Sequence, residues 1–456
     1  MRRLIPLILF SFFPLNGWAA DAGVEIRWDA VNKTLGISAR NAPLRVVLTE
    51  LSRQTNWRVV IEPGIRTKVT LRTKPRPASQ SLKLLVGRMR YQLTPNSAKP
   101  WELRIFESTA EAATEAVEVP RQVVKIVPTE LAVVVKDKSA AQKLADQFNA
   151  DLIGFIKGAN AARLKFKSAQ QQKRARDQIA KVDGVELVDD IFQYPPPVAT
   201  IVSEGNANPI RVTPAPVDAK GALIVGLIDS AVQIKGLDKP KFILDQLTVT
   251  DPFEAKEKQL THGTSMASIL LRGLSNKDLG VDQSKVRILP IDVFGDDKGA
   301  TNFDVCQGIA LAVFRGASII NLSLGSQRSS KLEHRVIQDG HKAGVLFVAA
   351  AGNEPVRSNT YPAAYPEVMA VTAVKPDGNL TSYANRGDFI DVAERGRQPV
   401  RFYGKTYSVS GTSGASAYVS GLAAALASKH GKRPIEIREL IIKNRPFEPP
   451  TEKDGN

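Results

Sequence analysis

Short apolar runs alternate with amphipathic stretches through the second half of the chain. The apolar runs are bounded by turn residues and are typical of buried parallel strands; they cover residues 222–228, 286–291, 318–322, 345–348 and 368–371. Helical periodicity predicts helices between and after these runs, at 303–314, 331–343 and 415–428. This alternation predicts an α/β domain over residues 220–445, with a parallel sheet that carries helices on both faces.

Two smaller α+β domains are predicted before it. In residues 21–108, Leu44, Val47, Leu48 and Leu51 share one helical face, and a strand-like run follows them. Residues 121–194 alternate as strand, helix, strand, strand, helix, strand, an order that suits a ferredoxin-like fold. The intervening segments predict linkers: an Ala/Glu-rich one at 108–118, and a flexible, Pro-rich one at 195–219.

Residues 1–20 have the order of a secretory signal peptide. Two arginines are followed by a short apolar stretch and then by small residues that end at Ala19 and Ala20. The alternative is an N-terminal membrane anchor, but the apolar stretch is short for a span of about 20 residues. We therefore expect an exported protein, periplasmic or secreted, with no transmembrane segment in the mature chain.

Charge and cysteine content narrow the function classes. The formal net charge is +16, and residues 21–100 hold 15 lysine or arginine residues against 5 aspartate or glutamate residues. This basic excess favours an anionic partner for the first domain, or only a solvated basic surface. No nucleic acid is expected, because no zinc-ligand or aromatic-basic recognition motif accompanies the charge. The single cysteine, Cys306, excludes an intrachain disulfide framework.

Four polar residues stand where strands end or helices begin. Asp229 ends the apolar run 222–228, and Asn353 follows the run 345–348; in open α/β sheets, functional groups gather at such carboxyl ends. His262 and Ser413 each lie in a small-residue motif at the predicted start of a helix. The positive end of the helix dipole would hold the Ser413 hydroxyl exposed.

Each of these residues also has an ordinary structural interpretation. Asp229 and His262 are then caps, and Asn353 is a turn residue. Asp292, at the end of another apolar run, is a rival carboxylate without the compact Asp-Ser turn. The small residues after Ser413 are expected to serve packing alone. The remaining histidines are expected at the surface: His334, His341 and His430.

Taken together, the order Asp229, His262, Asn353, Ser413 closely resembles the subtilisin-like serine proteases, whose triad runs Asp, His, Ser. Six motifs carry the resemblance over about residues 220–445: 225–230, 262–264, 320–325, 350–353, 361–366 and 411–413. The resemblance implies that Ser413 is the nucleophile, His262 its base and Asp229 the group that orients His262. Asn353 and the Ser413 amide would bind the oxyanion.

The resemblance also extends to binding and to the earlier domains. It implies that an edge formed by Ser323, Leu324 and Gly325 pairs with the backbone of peptide substrates. No cofactor or metal is predicted, since no acidic loop has calcium-ligand spacing. Residues 121–194 look like an inhibitory propeptide of the inhibitor-I9 type, which implies a zymogen. Residues 21–108 resemble the short N-terminal domain of secretins and TonB-dependent receptors, which implies a possible periplasmic protein partner. The alternative is a non-catalytic peptide-binding or signalling envelope protein with the same fold.

Overall fold

The computed structural model describes residues 24–29, 33–55, 57–94, 101–117, 124–197, 200–204, 210–216, 222–251, 258–276, 279–280, 282–295, 299–354, 356–381 and 383–447. The predicted signal peptide lies outside them. The chain divides after residue 123 into two compact units, and each is described by itself. None of the helices in the described ranges combines the length and the apolar content that a bilayer span requires.

In its described residues, the first unit contains two small sheets and two α-helices. Its elements are β1 Glu25–Asp29, β2 Thr34–Pro43, α1 Leu44–Thr55, β3 Arg58–Ile61, β4 Lys68–Arg72, β5 Arg76–Pro77, α2 Ala78–Val86, β6 Arg90–Thr94, β7 Glu102–Phe106 and β8 Glu115–Ala116. The predicted helical face is buried, with Leu44, Val47, Leu48 and Leu51 in one core. Strand β8 pairs with β3, so packing continues past residue 108 into the segment expected to be a linker.

The second unit begins with an antiparallel sheet covered by two helices on one face. Its elements are β9 Lys125–Val135, α3 Lys138–Gln147, β10 Asp151–Ile156, β11 Ala161–Lys165, α4 Ala169–Ile179 and β12 Val185–Tyr194. The strand order is β10-β11-β9-β12. Leu131, Val133 and Val135 of β9 face α3 and α4. Because side chains alternate along a strand, Ala132 and Val134 face the opposite way, into the core of the larger domain.

Part of the predicted Pro-rich linker is paired rather than free. Strand β13, Thr200–Glu204, and strand β14, Thr213–Pro214, both lie within residues 195–219. Strand β13 pairs antiparallel with a strand some 200 residues later along the chain, so that Thr200 lies opposite Ser410. Strand β14 pairs parallel with residues Gln283–Ser284. The expectation of a flexible linker is therefore wrong for these two stretches.

The larger domain confirms the predicted α/β architecture. Its elements are β15 Ile224–Asp229, β16 Leu247–Thr248, α5 His262–Leu274, β17 Gln283–Ser284, β18 Arg287–Asp292, β19 Ala300–Thr301, α6 Asn302–Phe314, β20 Ala317–Leu322, α7 Lys331–Lys342, β21 Leu346–Ala350, β22 Val368–Val374, β23 Val392–Arg395, β24 Arg397–Phe402, β25 Lys405–Ser410, α8 Thr412–His430 and α9 Pro434–Asn444. In the described part of the chain, seven parallel strands form one sheet in the order β16-β18-β15-β20-β21-β22-β23.

The period-two alternation of the strands divides this domain into two cores. Val225 and Leu227 of β15 pack with α5, α8 and α9 on one face of the sheet. Ile228, on the same strand, packs with α6 and α7 on the other. A sheet buried on both faces needs strands that are apolar throughout, which explains why the apolar runs located these strands in the sequence.

Helices α5 and α8 approach each other closely at two glycines. A Cβ atom at Gly273 would lie 2.1 Å from the carbonyl oxygen of Tyr418, and one at Gly421 would lie 2.0 Å from the carbonyl oxygen of Leu270. Real side chains cannot occupy such positions, so the two backbones touch only because both residues are glycine. This contact fixes the relative position of the helix that begins with His262 and the helix that carries Ser413.

We expect Gly421→Ala to lower the free energy of unfolding by about 1–3 kcal/mol, because the added methyl group forces α5 and α8 apart. Urea denaturation of the Ser413→Ala protein, with and without this change, measures the difference without self-cleavage. Gly158→Ala is the matched control, since a Cβ atom there meets nothing within 4 Å and its effect should stay within about 0.5 kcal/mol. An unchanged midpoint for Gly421→Ala would contradict the close-packing argument.

Candidate active site

Asp229 and His262 form a buried hydrogen-bonded pair at the carboxyl end of the central strand β15. The Nδ1 atom of His262 lies 2.8 Å from Oδ1 and 3.0 Å from Oδ2 of Asp229. The side chains are 1% and 4% exposed. The same carboxylate accepts the backbone N–H of Ser230 at 2.7 Å, which fixes its plane. A carboxylate on Nδ1 leaves Nε2 as the imidazole atom that can take up a proton.

Local sequence brings the start of α5 against the end of β15. The Thr261 hydroxyl accepts the N–H of Thr264 at 3.1 Å as an N-cap, and it donates to the carbonyl of Ala231 at 2.6 Å. The N–H of Gly263 donates to Ser230 Oγ at 3.0 Å. A Cβ atom at residue 263 would lie only 2.0 Å from the Ser230 carbonyl oxygen. Glycine after His262 is thus what allows the histidine to reach Asp229.

Ser413 lies in the first turn of α8, with its side chain partly accessible between buried neighbours. The helix begins at Thr412 rather than at the predicted residue 415. The N–H of Ser413 has no partner among the described residues, as expected for the first turn of a helix. In the described part of the chain its hydroxyl hydrogen-bonds not His262 but the carbonyl of Ser323, at 3.4 Å. Catalytic hydrogen bonds are often long or poorly aligned without substrate and tighten when it binds.

Asn353 is held beside the Ser413 turn by its side-chain oxygen. Its Oδ1 atom accepts the Thr412 N–H at 2.9 Å and the Thr412 hydroxyl at 3.0 Å. This use of the oxygen leaves the side-chain NH₂ group as a donor next to Gly411, whose Cβ position lies 3.5 Å from Asn353 Nδ2. Among the described residues, the Asn353 amide and the Ser413 N–H are therefore both placed as donors at this turn.

A buried polar network behind Ser413 was missed in the sequence. The hydroxyl of Ser323 donates to the Ser413 carbonyl at 3.1 Å, and Asn321 Nδ2 donates to Ser323 Oγ at 2.9 Å. On α8, Ser416 and Ser420 both donate to Asn321 Oδ1, at 3.3 and 3.0 Å. The expectation that the small residues after Ser413 serve packing alone is wrong for these two serines. Ser416 lies three residues after Ser413 and Ser420 four residues after Ser416, so that all three share one helical face, and this spacing was the available signal.

Ser323, Leu324 and Gly325 continue from the end of β20 past Ser413. No described residue forms a backbone hydrogen bond with the N–H groups of this stretch, whereas Ser326, the next residue, pairs both ways with Tyr361 at 2.8 and 2.7 Å. Unpaired main-chain N–H groups such as these can pair with an extended peptide.

Asp292, the rival carboxylate, and His334, one of the other histidines, both make contacts that stabilise the fold. Asp292 Oδ1 accepts the N–H groups of Phe294 and Gly295, both at 3.0 Å, and so holds a turn. His334 is not a plain surface residue as expected. Its ring stacks on Tyr365, with centroids 4.3 Å apart, and it lies 3.0 Å from a carboxylate oxygen of Glu367. His430 is exposed.

A second cluster joins the end of β12 to helix α7. The phenol of Tyr194 donates to Oε1 of Glu333 at 2.7 Å, and both residues are fully buried. Tyr365 Oη lies 3.4 Å from the other carboxylate oxygen of Glu333 and bonds both backbone groups of Ser330 at 2.9 Å. Burial, and then the charge of Glu333, raises the pKa of Tyr194 well above its ordinary value, so this phenol keeps its proton.

Around it, three polar residues tie β12 to the N-termini of α6 and α7. Asp189 Oδ2 accepts the hydroxyl of Ser330 at 2.7 Å and the N–H of Leu332 at 3.0 Å, which caps the start of α7. Asn302 holds the β12 backbone from the other side. It accepts the N–H of Phe192 at 3.1 Å and donates to the carbonyl of Asp190 at 3.0 Å. The cluster therefore fixes where β12 ends against the larger domain.

We expect Glu333 to make unfolding easier as the pH rises. Burial, opposed in part by hydrogen bonds from Tyr194 and Tyr365, raises the pKa of Glu333 from 4.5 to about 7. The folded state therefore holds a proton that the unfolded state releases between about pH 4.5 and 7, so stability falls across that window, by about 3 kcal/mol in total. Urea denaturation of the Ser413→Ala protein at pH 5 and pH 8 measures the fall, and Glu333→Gln should remove this part of it. An equal fall with and without Glu333→Gln would contradict the assignment.

Comparisons with known proteins identify the family of this chain. The Peptidase_S8 model of the subtilase family matches residues 220–454. The thermophilic serine proteinase of Bacillus sp. strain AK1 is 38% identical over 183 residues, which are 40% of this chain and 45% of that protein. Thermitase of Thermoactinomyces vulgaris is 30% identical over 48% of this chain and 78% of its own. The chain thus spans less than half of the first of these relatives.

Two solved structures share the fold at low identity. Fervidolysin from Fervidobacterium pennivorans, a keratinolytic enzyme related to subtilisin, aligns with a TM-score of 0.57 and 18% identity over 70% of this chain and 57% of its own. The epidermin leader peptide processing serine protease of Staphylococcus aureus, as its S393A mutant, aligns with a TM-score of 0.53 and 15% identity over 69% and 92%. Because the family model covers more than half of the sequence and includes Asp229, His262, Asn353 and Ser413, the chain belongs to the subtilase family of serine proteases.

Proposed function

We propose that this protein is an exported serine endopeptidase that cleaves peptide bonds through Asp229, His262 and Ser413. The observation that supports this most is the buried 2.8 Å contact between His262 Nδ1 and Asp229. His262 is on helix α5, which packs closely through glycines against α8, the helix that carries Ser413. A solvated surface histidine would need neither the contact with Asp229 nor this close helix packing.

The reaction follows from the roles of the three side chains. Ser413 Oγ attacks the carbonyl carbon of the scissile bond while its proton passes to His262 Nε2. Asp229 stabilises the imidazolium that forms. His262 then gives the proton to the leaving nitrogen, the C–N bond breaks, and an acyl ester remains on Ser413. Water attacks that ester by the same route and restores the enzyme.

The oxyanion and the substrate backbone have their own donors. The side-chain NH₂ of Asn353 and the N–H of Ser413 would bind the negative oxygen of the tetrahedral intermediate. Ser323, Leu324 and Gly325 would pair with the substrate main chain, which binds extended peptides with little regard to sequence. Selectivity must then come from the pockets that receive side chains.

We propose further that residues 121–194 are a ferredoxin-like propeptide and that the protein is made as a zymogen. Gln193 and Tyr194 pair antiparallel with β19, opposite Thr301 and Ala300. Arg163 reaches across to Asp304 of α6 at 3.1 Å. Strand β13 pairs with the strand that leads into the Ser413 turn. A segment held by these contacts, one of them on the strand that leads into the Ser413 turn, would exclude other substrates.

We expect self-processing within residues 198–217 rather than after Tyr194. The Tyr194 side chain is fully buried, and its carbonyl oxygen would lie 2.7 Å from a Cβ atom at Gly299, so the bond that follows it is held against β19. Proline at 195 also lacks the amide hydrogen of an ordinary leaving group. N-terminal sequencing of the processed protein checks this, and a mature start at Pro195 would contradict it.

The first unit is proposed to dock a periplasmic protein. Residues 21–108 carry the basic excess of the chain, and the described part of this unit has its own apolar core. A module that folds around its own core and carries excess charge suits recognition of an acidic protein patch. Capture of an envelope protein that is lost at high salt would support this role.

Hydrolysis of labelled casein by the purified full chain tests the proposed function. We expect turnover by the wild type, none by Ser413→Ala, and unchanged turnover by Ser428→Ala, which alters an exposed serine on the same helix. No Ser413-dependent turnover under conditions that remove residues 121–194 would favour the alternative, a non-catalytic peptide-binding or signalling protein.

A further inference from the structure

We propose that Glu333 determines substrate specificity: with Tyr365 it forms the polar end of a subsite that selects a tyrosine side chain, and Tyr194 occupies that subsite in this structure. This inference rests on the proposed function, because it assigns a substrate preference to the same cleft. If Tyr194 occupies the subsite as a substrate side chain would, the segment around Tyr194 indicates which peptides the enzyme accepts.

The residues around Tyr194 form a built site rather than a chance contact. Its ring is fully enclosed and lies 5.5 Å from the ring of Phe192. Its hydroxyl ends on Glu333 at 2.7 Å. The far wall is rigid, because Tyr365 is stacked on His334 and bonded to Ser330 on both backbone groups. A carboxyl group at the end of an apolar cavity needs a hydrogen-bond partner from whatever fills it.

The subsite lies on the path that leads to the nucleophile. Tyr194 pairs with Ala300, and Thr200 pairs with Ser410, three residues before Ser413. Five residues, 195–199, connect these two anchors and can span at most about 20 Å. A peptide laid along the same path would place a side chain in the Tyr194 position a few residues before its scissile bond.

Main-chain pairing cannot distinguish one substrate side chain from another, so the cavity that holds the Tyr194 side chain has to supply this selectivity. Pairing with β19 uses backbone groups that every residue has. A phenylalanine would fill the ring position but leave Glu333 with one partner fewer, and a leucine would also leave space unfilled. Sites built to hydrogen-bond a hydroxyl reject the analogue that lacks it. Because a buried polar group that loses its partner is unfavourable, we expect a preference for Tyr over Phe of about 10- to 100-fold.

The test compares matched peptides on the full chain, incubated until labelling by a fluorophosphonate is constant. Fluorogenic peptides carry either Tyr or Phe at one position, taken in turn from the second to the sixth residue before the cleaved bond. We expect one position at which kcat/KM for Tyr exceeds that for Phe by about 10- to 100-fold. Glu333→Leu should bring this ratio near one, and Glu333→Gln, which keeps an acceptor oxygen, should retain much of it. Asp339→Asn, an exposed carboxylate on the same helix, should leave the ratio unchanged.

The ratio of kcat/KM for the Tyr peptide to that for the Phe peptide does not depend on how much of a variant is folded, because the same active molecules cleave both peptides. The test therefore stays decisive even when a variant folds poorly. Ser413-dependent labelling with no position that favours Tyr would overturn the subsite and leave the proposed protease intact. A Tyr preference that survives Glu333→Leu would overturn the role of Glu333. Absence of any Ser413-dependent labelling would refute the protease itself, and this inference with it.

Discussion

His262→Ala is expected to lower kcat by about a million-fold, a magnitude established for subtilisin itself. Without the imidazole, the proposed mechanism loses the base that accepts the hydroxyl proton as the carbonyl is attacked and that returns it to the leaving amine. Steady-state hydrolysis of a fluorogenic peptide, with enzyme concentration set by the mass of folded protein, measures the loss.

The other histidines provide the control for this result. His430→Ala changes an exposed residue at the end of α8 and should leave kcat within twofold, a change equivalent to less than about 0.5 kcal/mol.

Asp229→Asn should lower kcat less than His262→Ala does, by about 10⁴-fold, because the imidazole remains but loses the group that fixes its tautomer. Retention of most activity by His262→Ala would contradict the assignment of the base.

Asn353→Ala is expected to lower kcat by about 10²–10³-fold with little change in KM, the magnitude known for the corresponding asparagine of subtilisin. The side-chain NH₂ would bind an oxygen that is negative only in the tetrahedral intermediate, so its loss weakens the transition state and spares the bound substrate. Separate determination of kcat and KM on one peptide distinguishes these effects.

A substitution at Thr412 distinguishes the Asn353 donor itself from the hydrogen bonds that hold it in place. Thr412→Val keeps Asn353 but removes one of the two hydrogen bonds that hold its oxygen, so a smaller loss is expected, of about tenfold or less. If Asn353→Ala instead raised KM and left kcat unchanged, the residue would bind substrate rather than the oxyanion.

The parallel sheet was predictable because each strand is buried on both faces and must therefore be apolar throughout. Asp229 and Asn353 were found for the same reason, since polar residues that end such strands lie at one edge of the sheet. The close approach of Gly263 to Ser230 was predictable as well, because a small-residue motif around His262 indicates that the helix begins close against neighbouring backbone.

Features that depend on distant partners could not be read from local pattern. Helix α8 starts three residues early because Asn353, far away in sequence, bonds the Thr412 N–H. Strand β13 exists because it pairs with β25, and a Pro-rich composition gave no sign of that partner. The tie between Tyr194 and Glu333 joins residues 139 positions apart. Ser416 and Ser420 were assigned to packing because their acceptor, Asn321, lies on another element.

The most direct test of the central claim is to map, by mass spectrometry, the residue that a fluorophosphonate modifies in the full chain. We expect one phosphonylated serine per chain, at Ser413, formed rapidly in the wild type and at least a thousandfold more slowly in His262→Ala, since reaction with the probe needs the same proton acceptor as attack on a peptide bond. Modification of a different serine, or equal rates with and without His262, would contradict it.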